Sequence, residues 1–194
     1  MSMYRAATST ILRTHCGRAD CFLPELDYVA ECEGKLVGNI MYTRAHLLLD
    51  AGGEADFVLL FGPVSVLPDF QGRGIGSRLI RETTRLAREM GYRAVLIYGD
   101  PDYYSRFGFV PAEQYRIRDA ENQYAAALQV LELSPGALDG CAGRFLEDAV
   151  YAVDSAAAAA FDCGFQPKEK GTSPTQARFQ ELSGMRRDAE ECRN

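Results

Sequence analysis

The sequence predicts an α/β fold, and a strand–turn–helix–strand unit near its middle is the basis of that prediction. An apolar run, FVLLFGPVSVLP (57–68), is followed by the glycine-rich turn QGRGIG (71–76). Apolar residues then recur at helical spacing over 75–90, and Gly91 is placed to end this helix. The continuous apolar run YRAVLIYG (92–99) is typical of a buried strand. The helix positions expected to face the core are Ile75, Leu79, Ile80, Thr83, Leu86, Ala87 and Met90.

The segments on either side of this unit predict further strands and a short helix. LDYVAECEGKLVGNIMYTRAHLLL (26–49) holds two β-rich apolar runs separated by Glu33-Gly34, which indicates a hairpin. Gly62-Pro63 interrupts the strand before the glycine turn and predicts a bulge. AALQVLEL (126–133) is typical of a strand, and DSAAAAAFDCG (154–164) is typical of a short helix.

The length of the chain allows one sizeable domain, which we assign to residues 1–166. Within it, residues 134–166 are interpreted as a C-terminal extension. After Phe165 the composition becomes polar and interrupted by proline and glycine, with few residues to bury. Residues 167–194 are therefore predicted to form a tail that is poorly ordered or loosely docked.

Composition and charge exclude several classes of protein. The formal net charge of −6 argues against a nucleic-acid-binding protein, and no stretch approaches the roughly 20 apolar residues of a membrane helix. The N-terminus lacks the apolar core of a secretory signal, so we expect a cytoplasmic protein. The six cysteines are scattered without a CxxC pair, and the two histidines are His15 and His46. Neither a disulfide framework nor a metal site is expected.

The glycine-rich turn before the central helix predicts a site for a phosphate group. The first amides of a helix have no helical acceptor, and the helix dipole places partial positive charge there. A dinucleotide-binding turn would need GxGxxG, but Ser77 stands at the last glycine position. A P-loop would need Gly-Lys-Ser/Thr, whereas this chain has Gly-Ser-Arg. Both motifs are rejected, and the structural alternative is a turn that only allows tight packing of helix on strand.

Two motifs together resemble the GNAT superfamily, the acyl-CoA-dependent N-acetyltransferases. In VSVLPDFQGRGIGSRLI, positions of the family's pyrophosphate loop are held by Gln71, Gly74 and Gly76. Downstream, YSRFGF (104–109) is similar to the family's Tyr-x-Lys-x-Gly-Phe segment. The resemblance covers residues 26–133, and GDPDYYSRFGFVPA is similar to a subgroup of small bacterial predicted N-acetyltransferases.

The resemblance implies a GNAT fold, which is a mixed and mostly antiparallel central sheet with two splayed parallel strands and flanking helices. Acetyl-CoA, the implied cosubstrate, would place its thioester between these strands, and no metal is implied. Main-chain groups of Val64 and Val66 would hold the pantetheine arm, with the Val66 amide facing the thioester carbonyl oxygen. The residues implied for the pyrophosphate are Gln71, Gly72, Arg73, Gly74, Ile75, Gly76 and Ser77. Arg73 and Arg78 could add charge-assisted contacts to phosphates.

The resemblance also implies direct transfer of the acetyl group to an amine, without a covalent enzyme intermediate. Tyr104 stands at the family's position for the general acid that assists the leaving thiolate; the alternative is an aromatic packed under the cofactor. Its neighbour Tyr103 is expected to pack or to line the acceptor pocket. The general base is left open between Asp100, which could equally cap the following short helix, Glu31 and a chain of water molecules.

The N-terminal part is shorter than the resemblance implies, because about 25 residues precede the hairpin. The first strand could be absent, and a second subunit could then cover the exposed sheet edge, so a homodimer is one expected arrangement. The predicted function is an acetyl-CoA-dependent N-acetyltransferase that acts on a primary amine of a small molecule or peptide. The alternative is a CoA-binding module or sensor that has lost transfer activity.

Overall fold

The computed structural model describes residues 2–5, 19–152 and 174–189 of the chain. In chain order, its strands are β1 (Ser2–Arg5), β2 (Tyr28–Cys32), β3 (Lys35–Arg44), β4 (His46–Leu49), β5 (Glu54–Ala55), β6 (Val58–Val66), β7 (Ala94–Tyr98), β8 (Val110–Pro111), β9 (Ile117–Arg118), β10 (Gln123–Ala125), β11 (Leu128–Glu132), β12 (Gly143–Leu146) and β13 (Arg186–Asp188). Its α-helices are α1 (Ile75–Glu89), α2 (Pro101–Tyr104) and α3 (Pro174–Gly184).

The largest sheet has seven strands in the order β1-β2-β3-β6-β7-β11-β8. Every neighbouring pair in it is antiparallel except β6 and β7, which run parallel. A second sheet has the order β5-β4-β12-β9, and β10 pairs with β13. A mixed, mostly antiparallel sheet with one parallel pair is the predicted fold class, which is thereby confirmed.

A first strand is present, so the expectation that the short N-terminal part could lack one is wrong. Strand β1 pairs antiparallel with β2, from Ser2 opposite Glu31 to Arg5 opposite Tyr28. The prediction failed because a run of four residues is too short to show a hydrophobic period. Since β1 takes up the free edge of β2, the reason for expecting a second subunit at that edge is removed.

The predicted hairpin and central helix are both found. Glu33 and Gly34 form the turn between β2 and β3 with φ angles of 52° and 76°, the left-handed pair that two-residue hairpin turns favour. Helix α1 is followed by Gly91, whose φ of 91° ends the helical path. Met90, expected in the core, is instead 43% exposed, because it lies just beyond the last helical residue.

Side chains of the large sheet alternate between two cores, one on each face. On β6, Leu59 and Phe61 lie in the core that also contains Leu79 of α1. Between them, Leu60 belongs to the opposite core, which contains Phe145 of β12. Helix α1 therefore covers one face of the large sheet, and the second sheet covers the other.

Part of the polar tail has regular structure. Leu182 of α3 is buried, the Ala126 N–H donates to the Met185 carbonyl oxygen, and β13 pairs with β10. The boundary between a domain at 1–166 and a tail stays a prediction, and the helix predicted over 154–164 lies outside the described residues. In the ranges that are described, no helix is long and apolar enough to cross a membrane.

Candidate active site

A gap opens between the two parallel strands of the large sheet. Parallel pairing of β6 with β7 ends at Leu60 and Leu96. Beyond this point β6 continues along β3 as far as Val66, while β7 continues along β11 as far as Tyr98. The two strands follow different partners, so they diverge, and beyond Leu60 and Leu96 their main-chain groups no longer pair with each other.

A bulge in β6 lies where the strands part. In the register of β3 and β6, Gly62 and Pro63 stand opposite the single residue Met41. The Gly62–Pro63 peptide bond is cis. The bulge predicted from the Gly-Pro pair is confirmed.

The main-chain groups of Val64 and Val66 face the gap. The Leu67 N–H donates to the Val37 carbonyl oxygen of β3 at 2.8 Å, which fixes the edge toward which this part of β6 points. Because successive residues of a strand direct their main-chain groups to alternate edges, those of Val66 and Val64 point away from β3. Both residues also line the cleft described below.

The glycine-rich turn leads directly into α1 with its amides uncovered. Gly72 and Gly74 have φ angles of 70° and 76°, a left-handed conformation that costs glycine little. The first helical hydrogen bond runs from the Arg78 N–H to the Gly74 carbonyl oxygen at 3.0 Å. The amides of residues 75–77 therefore have no helical acceptor, and the dipole of the helix adds positive potential at the same place.

Close packing holds the start of α1 against the sheet. A Cβ atom at Gly38 of β3 would lie 3.0 Å from the Ser65 carbonyl oxygen and 3.3 Å from Cγ2 of Ile75, so this approach requires glycine. A Cβ atom at Gly76 would lie 3.5 Å from the Tyr103 hydroxyl oxygen. Tyr103 thus stands beside the glycine turn.

The polar residues of the turn have distinct surroundings. The Gln71 side-chain amide donates to the Val66 carbonyl oxygen at 3.1 Å and ties the turn to β6. The Arg73 guanidinium lies over the Phe70 ring, 5.0 Å from its centroid. Arg78 is exposed on α1.

Tyr104 lies in an aromatic cluster at the end of β7. Its ring centroid is 6.0 Å from that of Phe61 and 5.7 Å from that of Phe109. A Cβ atom at Gly99 would lie only 2.3 Å from Cε2 of Tyr104, so the ring occupies the space that Gly99 leaves free. Burial and the neighbouring Tyr103 raise the pKa of Tyr104 to about 12, which keeps its phenol protonated at neutral pH.

Asp100 and Glu31, the two candidate bases, are placed differently. Oδ1 of Asp100 accepts from the Asp102 N–H at 3.0 Å, so this residue is the N-cap of α2. Within the described residues its Oδ2 makes no hydrogen bond, and Asp100 lines the cleft. Glu31 lies on β2, two strands from β6, and is not one of the described residues that line the cleft.

These elements enclose a cleft of about 630 Å³. Of the residues that the sequence predicts for the site, Arg73, Arg78 and Glu31 are not among its lining residues, and all the others are, including Tyr103. Further lining residues are Phe70, Tyr98, Gly99, Arg106 and Phe179. Arg106 could have been found, because it stands at the lysine position of the YSRFGF motif. Phe179 belongs to α3 in the polar tail, and no sequence motif marks it.

Among the described residues, the cysteine and histidine side chains form no metal site. In those parts of the chain, no group of three or more His, Cys, Asp and Glu side chains is arranged to hold a metal ion. Cys32 and Cys141 are free thiols. Neither of them lines the cleft, and nor does Cys21.

Comparison with known proteins identifies the family to which the chain belongs. The sequence model of the acetyltransferase (GNAT) domain family matches residues 25–111. The uncharacterized N-acetyltransferase YhbS of Escherichia coli (strain K12) is 32% identical over 129 residues, which cover 66% of this chain and 75% of YhbS. The uncharacterized N-acetyltransferase YjhQ of the same strain is 42% identical over 90 residues, 45% of this chain and 48% of YjhQ. The chain thus spans about half the length of YjhQ.

A solved structure agrees with the sequence relatives. The crystal structure of the GNAT family N-acetyltransferase YhbS from Escherichia coli, in complex with CoA, has a TM-score of 0.58. It is 27% identical in sequence, and the superposition covers 66% of this chain and 69% of that one. The strand gap, the glycine turn before α1 and these relatives agree, and the chain belongs to the GNAT family of N-acetyltransferases.

Proposed function

We propose that the chain transfers the acetyl group of acetyl-CoA directly to a primary amine of a small molecule or peptide. The observation that supports this best is the single cleft into which the strand gap, the uncovered amides of α1 and Tyr104 all open. The related YhbS was crystallised with CoA, which supports CoA as the ligand of this cleft.

In this proposal, the pyrophosphate of acetyl-CoA binds at residues 72–77. The free amides of 75–77 donate to its oxygens, and Gly72 and Gly74 let those oxygens approach the main chain. The pantetheine arm runs along Val64 and Val66 in the strand gap. The Val66 N–H donates to the thioester carbonyl oxygen and stabilises the negative charge that develops there during attack.

The transfer step forms one bond and breaks one. The unprotonated amine nitrogen attacks the thioester carbon, the carbon–nitrogen bond forms, and the carbon–sulfur bond breaks to release CoA as its thiolate. Tyr104 donates a hydrogen bond to the departing sulfur. Because the Tyr104 pKa of about 12 lies above the roughly 8.5 of a thiol, this donor acts chiefly by stabilising the thiolate. The proton lost by the amine passes to Asp100 Oδ2 or to water, and the thiolate takes up a proton.

The alternative of a CoA-binding sensor without transfer activity is motivated by the short N-terminal part, which could have lost the acceptor site. Strand β1 supplies the first strand of that part, and residues 6–18 lie outside the described residues. A sensor would still be recognised by its behaviour, because CoA would raise its melting temperature while no amine released CoA from acetyl-CoA.

The proposal is tested by measuring CoA release from acetyl-CoA with a panel of polyamines, amino acids, aminoglycosides and peptides. We expect Tyr104→Phe to lower kcat by roughly 10²-fold and to change the Kd for CoA less than threefold, because only the hydroxyl is lost. Asp100→Asn keeps a capping side chain but cannot accept a proton, so it should lower kcat without lowering stability. Tyr92→Phe, at the far end of α1, is the matched control and should leave both quantities unchanged.

Two outcomes would count against the proposal. No CoA release with any amine would reject transfer activity. Equal losses of kcat and of CoA affinity in Tyr104→Phe would reject its role at the leaving sulfur and favour an aromatic that only packs under the cofactor.

A further inference from the structure

A second cavity of about 510 Å³ adjoins the cleft. The two spaces share Tyr98 of β7 and Phe179 of α3 in their walls. On β7, Tyr98 follows the alternation of Ala94 and Leu96, whose side chains face the core opposite α1. The second cavity therefore lies on the face of the sheet away from the glycine turn, at the end of the strand gap where β6 and β7 have parted.

The walls of the second cavity combine apolar side chains with carboxylates. Tyr98, Phe145 and Phe179 supply aromatic surface. The carboxylates in the lining are those of Glu121, Glu147 and Asp148. This composition suits a molecule with an apolar body and a positively charged end.

Among the residues that the structure describes, the positive charge beside the second cavity does not balance its carboxylates. Arg186, in the cavity wall, lies 3.5 Å from Oδ2 of Asp119 and 3.8 Å from Oε2 of Glu121. Asp119 is wholly buried, and within the described residues its Oδ2 has no hydrogen-bond donor. Arg186 is thus shared between two acids, and no ion pair is formed by Glu147 in the described part of the chain.

The negative charge of these carboxylates also raises the pKa values of side chains in the cavity wall. Partial burial and the negative charge of Glu121 raise the pKa of Glu147. Burial raises the pKa of Tyr98, and the charges of Glu147, Asp119 and Glu121 raise it further. A cation in the second cavity would relieve this repulsion, because an opposite charge close to a carboxylate favours its ionised form.

We propose that the second cavity binds the acceptor, and that the acceptor is a diamine or polyamine with one ammonium group held among Glu121, Glu147 and Asp148. This inference rests on the proposed function, since it places the amine beside the acetyl-CoA thioester. The ammonium held by the carboxylates is not the group that reacts, because a protonated nitrogen has no free electron pair. The acceptor therefore needs a second amino group, which reaches the thioester unprotonated along the wall formed by Tyr98 and Phe179.

The reaction balances in this arrangement. The unprotonated nitrogen forms the new bond to the acetyl carbon and CoA leaves as its thiolate. The nitrogen gives up one of its two protons to the base and keeps the other as the amide N–H, and the thiolate takes up a proton. The ammonium group in the second cavity keeps its proton throughout. The product is a monoacetylated diamine.

Matched pairs of primary amines test the inference directly. We propose to compare linear diamines of three to six carbons with the monoamines of the same length, for example 1,5-diaminopentane with pentylamine. The best diamine should have a kcat/KM at least tenfold higher than its monoamine. In the double variant Glu121→Gln/Glu147→Gln this ratio should fall below threefold, while the KM for acetyl-CoA stays unchanged. Glu25→Gln, an exposed acid on another surface, should keep the full ratio.

A binding measurement separates this inference from the proposed function. Calorimetric titration of the CoA-saturated protein with the same amines should show diamine binding that the double variant loses and that added salt weakens. Equal turnover of diamines and monoamines, or a diamine preference that survives in the double variant, overturns the inference and leaves N-acetyl transfer intact. Failure of CoA-saturated protein to bind any of these amines also overturns it. Carboxylate-dependent diamine binding without turnover would uphold the diamine site in the second cavity and reject the transfer activity.

Discussion

The cleft and the second cavity adjoin the same strand gap from opposite faces of the sheet, but they are built from different parts of the chain. Most residues that line the cleft belong to one continuous segment, residues 64–77, and the donors proposed for CoA in this segment are main-chain amides. The second cavity is made by side chains from β7, from residues 120–121 and 145–152, and from the C-terminal segment. A site built from the local main chain needs particular glycines at fixed spacing, whereas a site built from distant side chains leaves no local pattern.

The largest expected effect is at Gly99, where the cleft depends on a side chain as well as on the main chain. Gly99→Ala would place a Cβ atom 2.3 Å from the ring of Tyr104, so the ring must move. We expect kcat to fall by roughly 10²-fold, similar to removal of the Tyr104 hydroxyl. The overpacked cluster should also lower the free energy of unfolding by about 1–3 kcal/mol. Steady-state kinetics and chemical denaturation measure the two effects.

Gly184→Ala is the control for this substitution, since a Cβ atom there meets no atom within 4 Å. It should change neither kcat nor stability appreciably. If Gly99→Ala retained the kcat of the unmodified chain, the position of the Tyr104 ring would not matter for the chemistry. The cleft would then be a main-chain site alone.

A smaller effect is expected at Gly74, and it isolates the main-chain part of the cleft. Gly74 has a φ of 76° and Gly52, in the loop between β4 and β5, has a φ of 92°. A Cβ atom at either position meets no protein atom within 4 Å, so both Gly→Ala changes add the same kind of strain, about 1–2 kcal/mol. Only Gly74→Ala should also weaken CoA binding, by roughly tenfold, because its Cβ would lie where phosphate oxygens approach the turn.

The Kd for CoA, measured by calorimetry in both variants, shows whether the glycine turn binds phosphate. Equal Kd values in Gly74→Ala and Gly52→Ala would mean that the glycine turn serves the packing of α1 on the sheet and does not hold phosphate. The cleft could then no longer be described as a site that binds phosphate through its main chain, in contrast to the side chains of the second cavity.

Much of the fold could be predicted because its signals are local. The Glu33-Gly34 turn, the Gly62-Pro63 bulge and the helical period of α1 each occupy a few consecutive residues, and the structure contains all three. For Asp100 the local sequence does not decide between a general base and an N-cap. The Asp-Pro pair indicates the cap, but it does not show that Oδ2 stays available while Oδ1 accepts from the Asp102 N–H. Strand β1 was missed because four residues and one antiparallel partner leave too little periodicity to detect.

The second cavity could not be predicted because its residues become neighbours only through the fold. Glu121 follows β9, Glu147 follows β12, and Arg186 begins β13. The pairing of β13 with β10 brings Arg186 close to Asp119 and Glu121, across more than sixty residues of sequence. In the sequence, each of these charges is indistinguishable from a solvated surface residue.

The smallest expected effect is at Phe179, the residue of α3 that lines both spaces. Phe179 is 39% exposed, so Phe179→Ala removes wall surface without opening a core cavity, and stability should fall by less than about 1 kcal/mol. We expect the KM for a diamine to rise by about three- to fivefold and the KM for acetyl-CoA to stay within twofold, because the contacts proposed for the cofactor are made by the main chain of residues 64–77. Leu36→Ala, which removes a side chain that is 59% exposed on β3, is the control. This result would be the converse of Gly74→Ala, which affects CoA and spares the amine. A rise in the KM for acetyl-CoA alone would instead place α3 on the cofactor, and the wall shared by the two sites would then serve the cleft.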